Sequence, residues 1–266
     1  RWHGALGWLD CQVHVGLLAD GSKVAVKAQH RDIEAVFLQD LGQCDVLAAA
    51  LHWLEPSLDF RAIFSEVNVE HRKELQFSLE ARNLSDVGSN LARLGARVPV
   101  IVPRVVHCPS DRVLVMAFCE GVAVKDAAVL RASGVDCEQL VTRVCEAWAQ
   151  QMFRDGVFNA DAHAGNILAC SDPQLGSVPI LLDFGLCKRL TLHERISICK
   201  MMHALEELDS DLLLEALTAL GFVFKSDQVE PHEVFRDLLY CFRDPRADAD
   251  ASRSEFNAKL EQDIKR

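Results

Sequence analysis

The feature that most constrains this chain lies between residues 159 and 185. Asn159-Ala160-Asp161-Ala162-His163-Ala164-Gly165-Asn166 runs into the apolar pair Ile167-Leu168. A second apolar run at 178–182 ends on Asp183-Phe184-Gly185. Asp161 and Asn166 stand five positions apart, and both apolar runs are short enough to be buried strands. A carboxylate and an amide in one loop, then a carboxylate at the end of a following strand, describe two polar loops held by a small apolar scaffold.

These residue types suit phosphoryl transfer, which is mostly positioning and charge neutralisation. The chemistry needs one carboxylate near the attacking hydroxyl, a place Asp161 can take. It needs a second carboxylate and an amide oxygen to hold Mg²⁺ against phosphates, places for Asp183 and Asn166. Mg²⁺ takes oxygen ligands and keeps some of its waters. Upstream, Lys23-Val24-Ala25-Val26-Lys27 alternates as a strand, with Lys23, Ala25 and Lys27 on one face and the two valines on the other. A lysine on such a strand is usually a solvated residue, but Val24-Ala25-Val26-Lys27 resembles the V-A-I-K strand of kinases, and its place ahead of the two loops makes Lys27 a phosphate-binding candidate by that resemblance. A lysine in a cleft needs a carboxylate partner. Glu74 and Glu80 are both available, but six residues apart on one helix they cannot share a face. His163 is expected to brace its loop by hydrogen bonds, with no neighbouring His or Cys at zinc-ligand spacing.

Around these residues the chain reads as strands with two helices, two more strands, a Gly-containing connector, and a mainly helical half. Val13 and Val15 pair across the Asp20-Gly21 turn with Val24 and Val26 as a hairpin. Helical periodicity covers 31–54 and 60–94, with Pro56 ending the first and Asp59 a candidate N-cap for the second. Strands are expected at 98–106 and 112–118, and helices at 123–133, 137–155, 191–208, 210–220 and 229–242. The expected division is a small lobe over 1–119, truncated at its start, a larger helical lobe over 120–243, and a polar segment over 244–266 that leads from a loop toward a further helix.

Composition narrows the partners. A net charge of -11 argues against nucleic acid, which needs a basic face. No apolar run reaches the roughly 18–20 residues that span a bilayer. The ten cysteines form no C-x-x-C pair and are expected to be reduced, buried thiols. The chain opens on Arg1 rather than Met, so it is read as a piece of a longer protein with no targeting segment present.

At the quoted motifs the chain resembles the UbiB / aarF-domain-containing (ADCK-type) atypical kinases. Asp20-Gly21 through His30 is similar to that family's D-G-x-x-V-A-V-K-V-Q-x-P strand. The stretch from Glu74-Leu75-Gln76-Phe77 to Glu80-Ala81-Arg82-Asn83 is similar to its E-L-D-F-x-x-E-A-x-N helix, and Asp161 to Leu168 to its D-P-H-P-G-N loop. The resemblance extends over roughly residues 11–225. It implies an α+β, protein-kinase-like two-lobe fold, with a small β-rich N-lobe carrying two helices and a larger α-helical C-lobe. It implies ATP or ADP with Mg²⁺ as ligands, isoprenoid-quinone or lipid metabolism as the setting, quinone-pathway proteins as partners, and a mitochondrion or plastid as the place. Carried over, Lys27 and Asp161 are catalytic, and Asn166 and Asp183 bind metal. Glu74 or Glu80 pairs with Lys27, while Gln12 of the nucleotide loop and Met116 of the hinge strand lie at the nucleotide. The departures are specific. Gly7-Trp8-Leu9-Asp10-Cys11 replaces an Ala-rich loop, Gln76 replaces an acid, Ala162 and Ala164 replace prolines, and Asn159 stands where the family has His. A nucleotide-binding pseudokinase scaffold and a small-molecule phosphotransferase are the alternatives.

Overall fold

The computed structural model describes residues 3–7, 11–54, 68–69, 72–73, 75–125, 127–207 and 209–223. It divides into two units, 1–190 and 191–266. Glu74, Pro56, Asp59, the expected 229–242 helix and the polar tail lie outside the described residues.

The first unit begins with β1 (His3–Gly7), β2 (Cys11–Leu17) and β3 (Lys23–Gln29), which join β4 (Val105–Ser110) and β5 (Val113–Ala117) in a five-stranded antiparallel sheet of order β1-β2-β3-β5-β4. The β2–β3 turn forms where Asp20-Gly21 places it. Gly21 takes φ 85°, and Asp20 Oδ1 accepts from the Ser22 N–H at 2.9 Å. The expected strand over 98–106 is realised only at its end, because β4 starts at Val105. Pro99 and Pro103 supply no N–H for a ladder. Between them Ile101 makes one parallel bridge, donating to Pro179 O and accepting from the Leu181 N–H, each at 2.9 Å.

Two helices accompany this sheet, α1 (Ile33–Leu54) and α2 (Phe77–Ala92). Of the expected 60–94 helix, the described residues are helical at 68–69 and 72–73, leave the helix at Leu75 and Gln76, and form the regular element α2 from Phe77. Gln76 offers no side-chain cap; instead the Phe77 N–H donates to Asp111 O at 3.0 Å, in the β4–β5 turn. Gln29, at the end of β3, donates to Leu75 O at 2.7 Å and to Asp111 O at 3.2 Å. These bonds set the height of α2 against β3. Phe77, Glu80, Ala81, Leu84, Val87 and Leu91 then recur at three- and four-residue steps as the buried stripe. The apolar members pack with Cys11, Leu114, Met116, Ala147, Leu181 and Phe184 in one core. Each fully buried large side chain there contributes about 1.5–3 kcal/mol.

A connector follows. Gly121 lies so close to the next hairpin that a Cβ would sit 2.8 Å from Ile180 Cδ1 and 3.0 Å from Ala169 O. Beyond it come β6 (Val122–Ala123), α3 (Ala127–Ala132) and α4 (Cys137–Ala149), whose N-cap Asp136 accepts from the Glu138 and Gln139 N–H groups. The expected 137–155 helix does not continue unbroken. Residues Gln150–Asp155 widen into a π-turn that stops at Gly156, φ 73°. Four strand segments complete the unit: β7 (Val157–Asn159) pairs with β10 (Cys187–Arg189), and β8 (Ile167–Asp172) pairs with β9 (Gly176–Leu181).

The second unit contains the helical hairpin α5 (Leu192–Glu207) and α6 (Ser210–Ala219), close to the bounds read from sequence. Met201, Ala204 and Leu205 pack on Leu213, Ala216 and Leu217. Thr191 and Glu194 cap α5 reciprocally, and Asp209 caps α6. No helix among the described residues is long and apolar enough to cross a membrane.

Candidate functional site

The β8–β9 hairpin explains why two motifs separated in sequence meet. Ile167 is paired with Leu181, so Asn166, just before β8, and Asp183, just after β9, emerge at the same end. The Leu182 N–H donates to Asn166 O at 2.9 Å and ties them there. The β7–β10 pair brings Asn159 opposite Cys187 and delivers Asp161 to the same region.

Lys27 reaches this place from β3. Antiparallel register puts Lys27 beside Val13 and Leu114, on the α2 side of the sheet, and leaves it 7% exposed rather than solvated. Its ammonium donates to Glu80 Oε1 and Oε2 at 3.0 and 2.9 Å, and to Asp183 Oδ2 at 3.0 Å. It also lies 5.1 Å from the centre of the Phe77 ring. Burial pulls the Lys27 ammonium toward a lower pKa, but the Glu80 and Asp183 carboxylates outweigh it and hold the group above the ordinary lysine range. Of the two glutamates left open by sequence, Glu80 is the one placed against Lys27, and it is 1% exposed. Helix periodicity puts Glu80 between Phe77 and Leu84 on the buried stripe.

Asp183 is half-buried, and its Oδ1 accepts from the Gly185 N–H at 2.8 Å. Asn166 is 4% exposed, and its Oδ1 is buried with no hydrogen-bond donor. A buried amide oxygen left open is unusual. Together with the Asp183 carboxylate it forms a hard-oxygen donor set suited to Mg²⁺ rather than to a softer metal. Among the described residues no group of three or more His, Cys, Asp or Glu side chains gathers, so such a cation would need further oxygens from phosphate and water. Asp161 is exposed, with His163 Nε2 3.6 Å from its Oδ2. His163 braces the loop as expected, Nδ1 accepting from the Gly165 N–H at 2.9 Å.

Met116 and Gln12 sit differently. Met116 is buried on β5 opposite Ala25, on the same sheet face as Lys27. Gln12 pairs with Ala28, on the opposite face, and bonds His14 at 3.1 Å. The structure therefore does not bring the Gln12 side chain to the Lys27 cluster, because one step along a strand reverses its side.

Sequence reasoning left three contributors unassigned. Asn159 Nδ2 donates to Asp183 O at 2.6 Å, and Asn83 Nδ2 donates to Phe184 O at 3.0 Å. Gln151, in the π-turn, accepts from the Asn159 N–H at 3.3 Å. The signal for Asn83 was its place three residues after Glu80. Burial also sets the thiols apart. Cys187 is pushed up to about 12 by desolvation, whereas Cys145 and Cys199 are exposed, against the expectation of buried thiols.

Comparison with known proteins gives matches over most of the chain. The ABC1 atypical kinase-like domain matches residues 11–217. AarF domain-containing protein kinase 1 of Mus musculus is 32% identical over 212 residues, covering 79% of this chain and 40% of that protein. A probable protein kinase UbiB of Xylella fastidiosa is 31% identical over 229 residues, covering 84% and 41%. The chain thus spans about two fifths of the length of these relatives. Among solved structures, Rv3197 of Mycobacterium tuberculosis, determined in complex with erythromycin, is similar with a TM-score of 0.56 and 25% identity, over 88% of this chain and 59% of that one.

Proposed function

From the premise that the chain belongs to the ABC1 atypical kinase-like family, with its kinase-like α+β fold, we propose that it binds ATP or ADP with Mg²⁺ and acts as a UbiB-type phosphotransferase or ATPase. One observation carries the reading: Lys27, Glu80 and Asp183 share a buried ion cluster beside the open Asn166 oxygen. In this role Glu80 fixes the Lys27 ammonium, which lies against the nucleotide phosphates. Asp183 Oδ and Asn166 Oδ1 are the residues that would hold Mg²⁺. The ion, when bound, supplies positive charge to the phosphoryl oxygens. The exposed Asp161 carboxylate accepts the proton of the attacking hydroxyl or water and orients it. The family resemblance supports service to isoprenoid-quinone or lipid metabolism in a mitochondrion or plastid, with proteins of that pathway as partners. The lobes of the sequence reading, divided near 119–120, belong to the same proposal.

The test is ADP formation from MgATP beside Asp161→Asn. The reading expects nucleotide binding to persist in the variant while turnover falls by about 10²–10⁴. Equal turnover in both proteins overturns the assignment of Asp161. Binding without turnover in either protein replaces the enzyme with a nucleotide-occupied scaffold.

A further inference from the structure

Asp183 and Phe184 present two successive backbone carbonyls, and a different asparagine holds each. Asn159 on β7 donates to Asp183 O at 2.6 Å, and Asn83 on α2 donates to Phe184 O at 3.0 Å. Neither amide is needed to close the local turn, which the Gly185 N–H already closes onto Asp183 Oδ1. Both have a second task. Asn159 Oδ1 accepts from the Asp161 N–H at 2.8 Å, so one amide spans the two loops that carry the site carboxylates. Asn159 is itself fixed. Its N–H donates to the buried Gln151 side chain, whose Nε2 donates to Ala147 O at 3.1 Å, and its carbonyl accepts from Trp148 Nε1 at 3.0 Å. Asn83 Oδ1 accepts from Arg189 at 3.3 Å, and Arg189 pairs with Asp86 at 2.6 Å. Glu80, Asn83 and Asp86 follow at three-residue steps along α2. The helix therefore grips the Asp183 segment at three successive points: through Lys27, at Phe184, and through Arg189.

We infer that Asn83 and Asn159 are positioning residues that preset the Asp183 arm, so its carboxylate is aimed before any nucleotide or cation arrives. Rotating the Asp183–Phe184 peptides would break both amide bonds, one of them at a residue only 4% exposed. The assignment rests on the nucleotide reading for its purpose, but not for its geometry.

The test uses the full chain with Asn83→Leu, Asn159→Leu and Asn159→His, the last keeping a ring donor and acceptor. Amide hydrogen exchange over 182–190 is followed in ligand-free protein, with 176–181 as a control for global opening. The Mg²⁺ concentration giving half of the ATP-dependent thermal shift is the second readout. Each Leu variant should speed exchange over 182–190 about tenfold while 176–181 stays protected, and should raise the Mg²⁺ half-point. Asn159→His should restore most of both. Should Asn159→Leu fail to fold, Asn83→Leu, on a less buried residue, decides the matter. Unchanged exchange over 182–190 in folded Asn83→Leu overturns the inference. So does faster exchange that affects 176–181 equally. If wild type shows no ATP shift, the nucleotide reading fails, and the exchange result alone decides the presetting.

Discussion

Replacing Glu80 with Gln removes one partner from a buried charge pair while keeping nearly all of its volume. The wild-type carboxylate receives two charge-assisted bonds from Lys27, at 3.0 and 2.9 Å, and it is 1% exposed. Two hydrogen bonds to charged groups amount to about 3–6 kcal/mol. The Gln carbonyl keeps one acceptor and returns about 1–2 kcal/mol of that. Asp183 still lies 3.0 Å from the ammonium, so Lys27 is not left alone. A net loss of about 2–4 kcal/mol follows, at the lower edge of what breaking a buried pair costs. At about 2–4 °C per kcal/mol for a domain of this size, the melting step of the 1–190 unit should fall by roughly 5–15 °C. Scanning calorimetry reads it directly. A double-mutant cycle sharpens the test. Glu80→Leu with Lys27→Met should be more stable than Glu80→Leu alone, because the second change removes a buried charge left with only the half-buried Asp183 carboxylate as partner. A fall below about 0.5 kcal/mol for Glu80→Gln, as for an exposed pair, would refute the buried-cluster argument. Strict additivity in the cycle would do the same.

The remaining expectations follow from the same contacts. The folded pKa of Lys27 lies above its unfolded value of about 10.4, so its stabilisation is complete below that pH and is lost as pH rises through the folded value. The stability advantage of wild type over Lys27→Met, measured by urea unfolding, should be flat from neutral pH to about 9 and shrink only above about 10.4; a decline between 7 and 9 would contradict it. Gly121→Ala should destabilise by about 1–3 kcal/mol, because its Cβ would press on the Ala169 carbonyl as well as on Ile180; an unchanged melting point would show that the connector can shift. Among the described thiols of native protein, a maleimide at pH 7.5 should label Cys145 and Cys199 first, while Cys187 waits for unfolding. Mass spectrometry of early adducts checks the order, and early labelling of Cys187 would show that its surroundings open.

Much of the site is legible in local patterns. The five-residue Asp161–Asn166 spacing, the strand before Asp183 and the alternation around Lys27 are each short-range features, set by strand period and turn chemistry. What escapes is long-range. Glu74 and Glu80 are alike in sequence; the bonds from Gln29 to Leu75 and Asp111 set the start of α2, and that start carries Glu80 to Lys27. Gln12 reads as part of a nucleotide loop, yet pairing with Ala28 turns it to the far face. The stretch 98–106 reads as a strand by its valines, while Pro99 and Pro103 withhold the donors a ladder needs. The π-turn at 150–155 leaves no helical-period signature, and within it the Gln151 side chain bonds Ala147 O of its own helix and accepts from the Asn159 N–H. Asn83 and Asn159 stand in recognisable motif positions, but the carbonyls they hold are separated from them by 101 and 24 residues and show only in the fold.

The most direct test of the nucleotide site is ATP-dependent thermal stabilisation, with and without Mg²⁺, in wild type and Asp183→Asn. With nucleotide at 100 times its Kd, the account predicts about 2.7 kcal/mol of added stability for wild type with Mg²⁺. It predicts that most of this is lost without the ion or without the Asp183 carboxylate. An equal shift in all four conditions, or none in any, would contradict it.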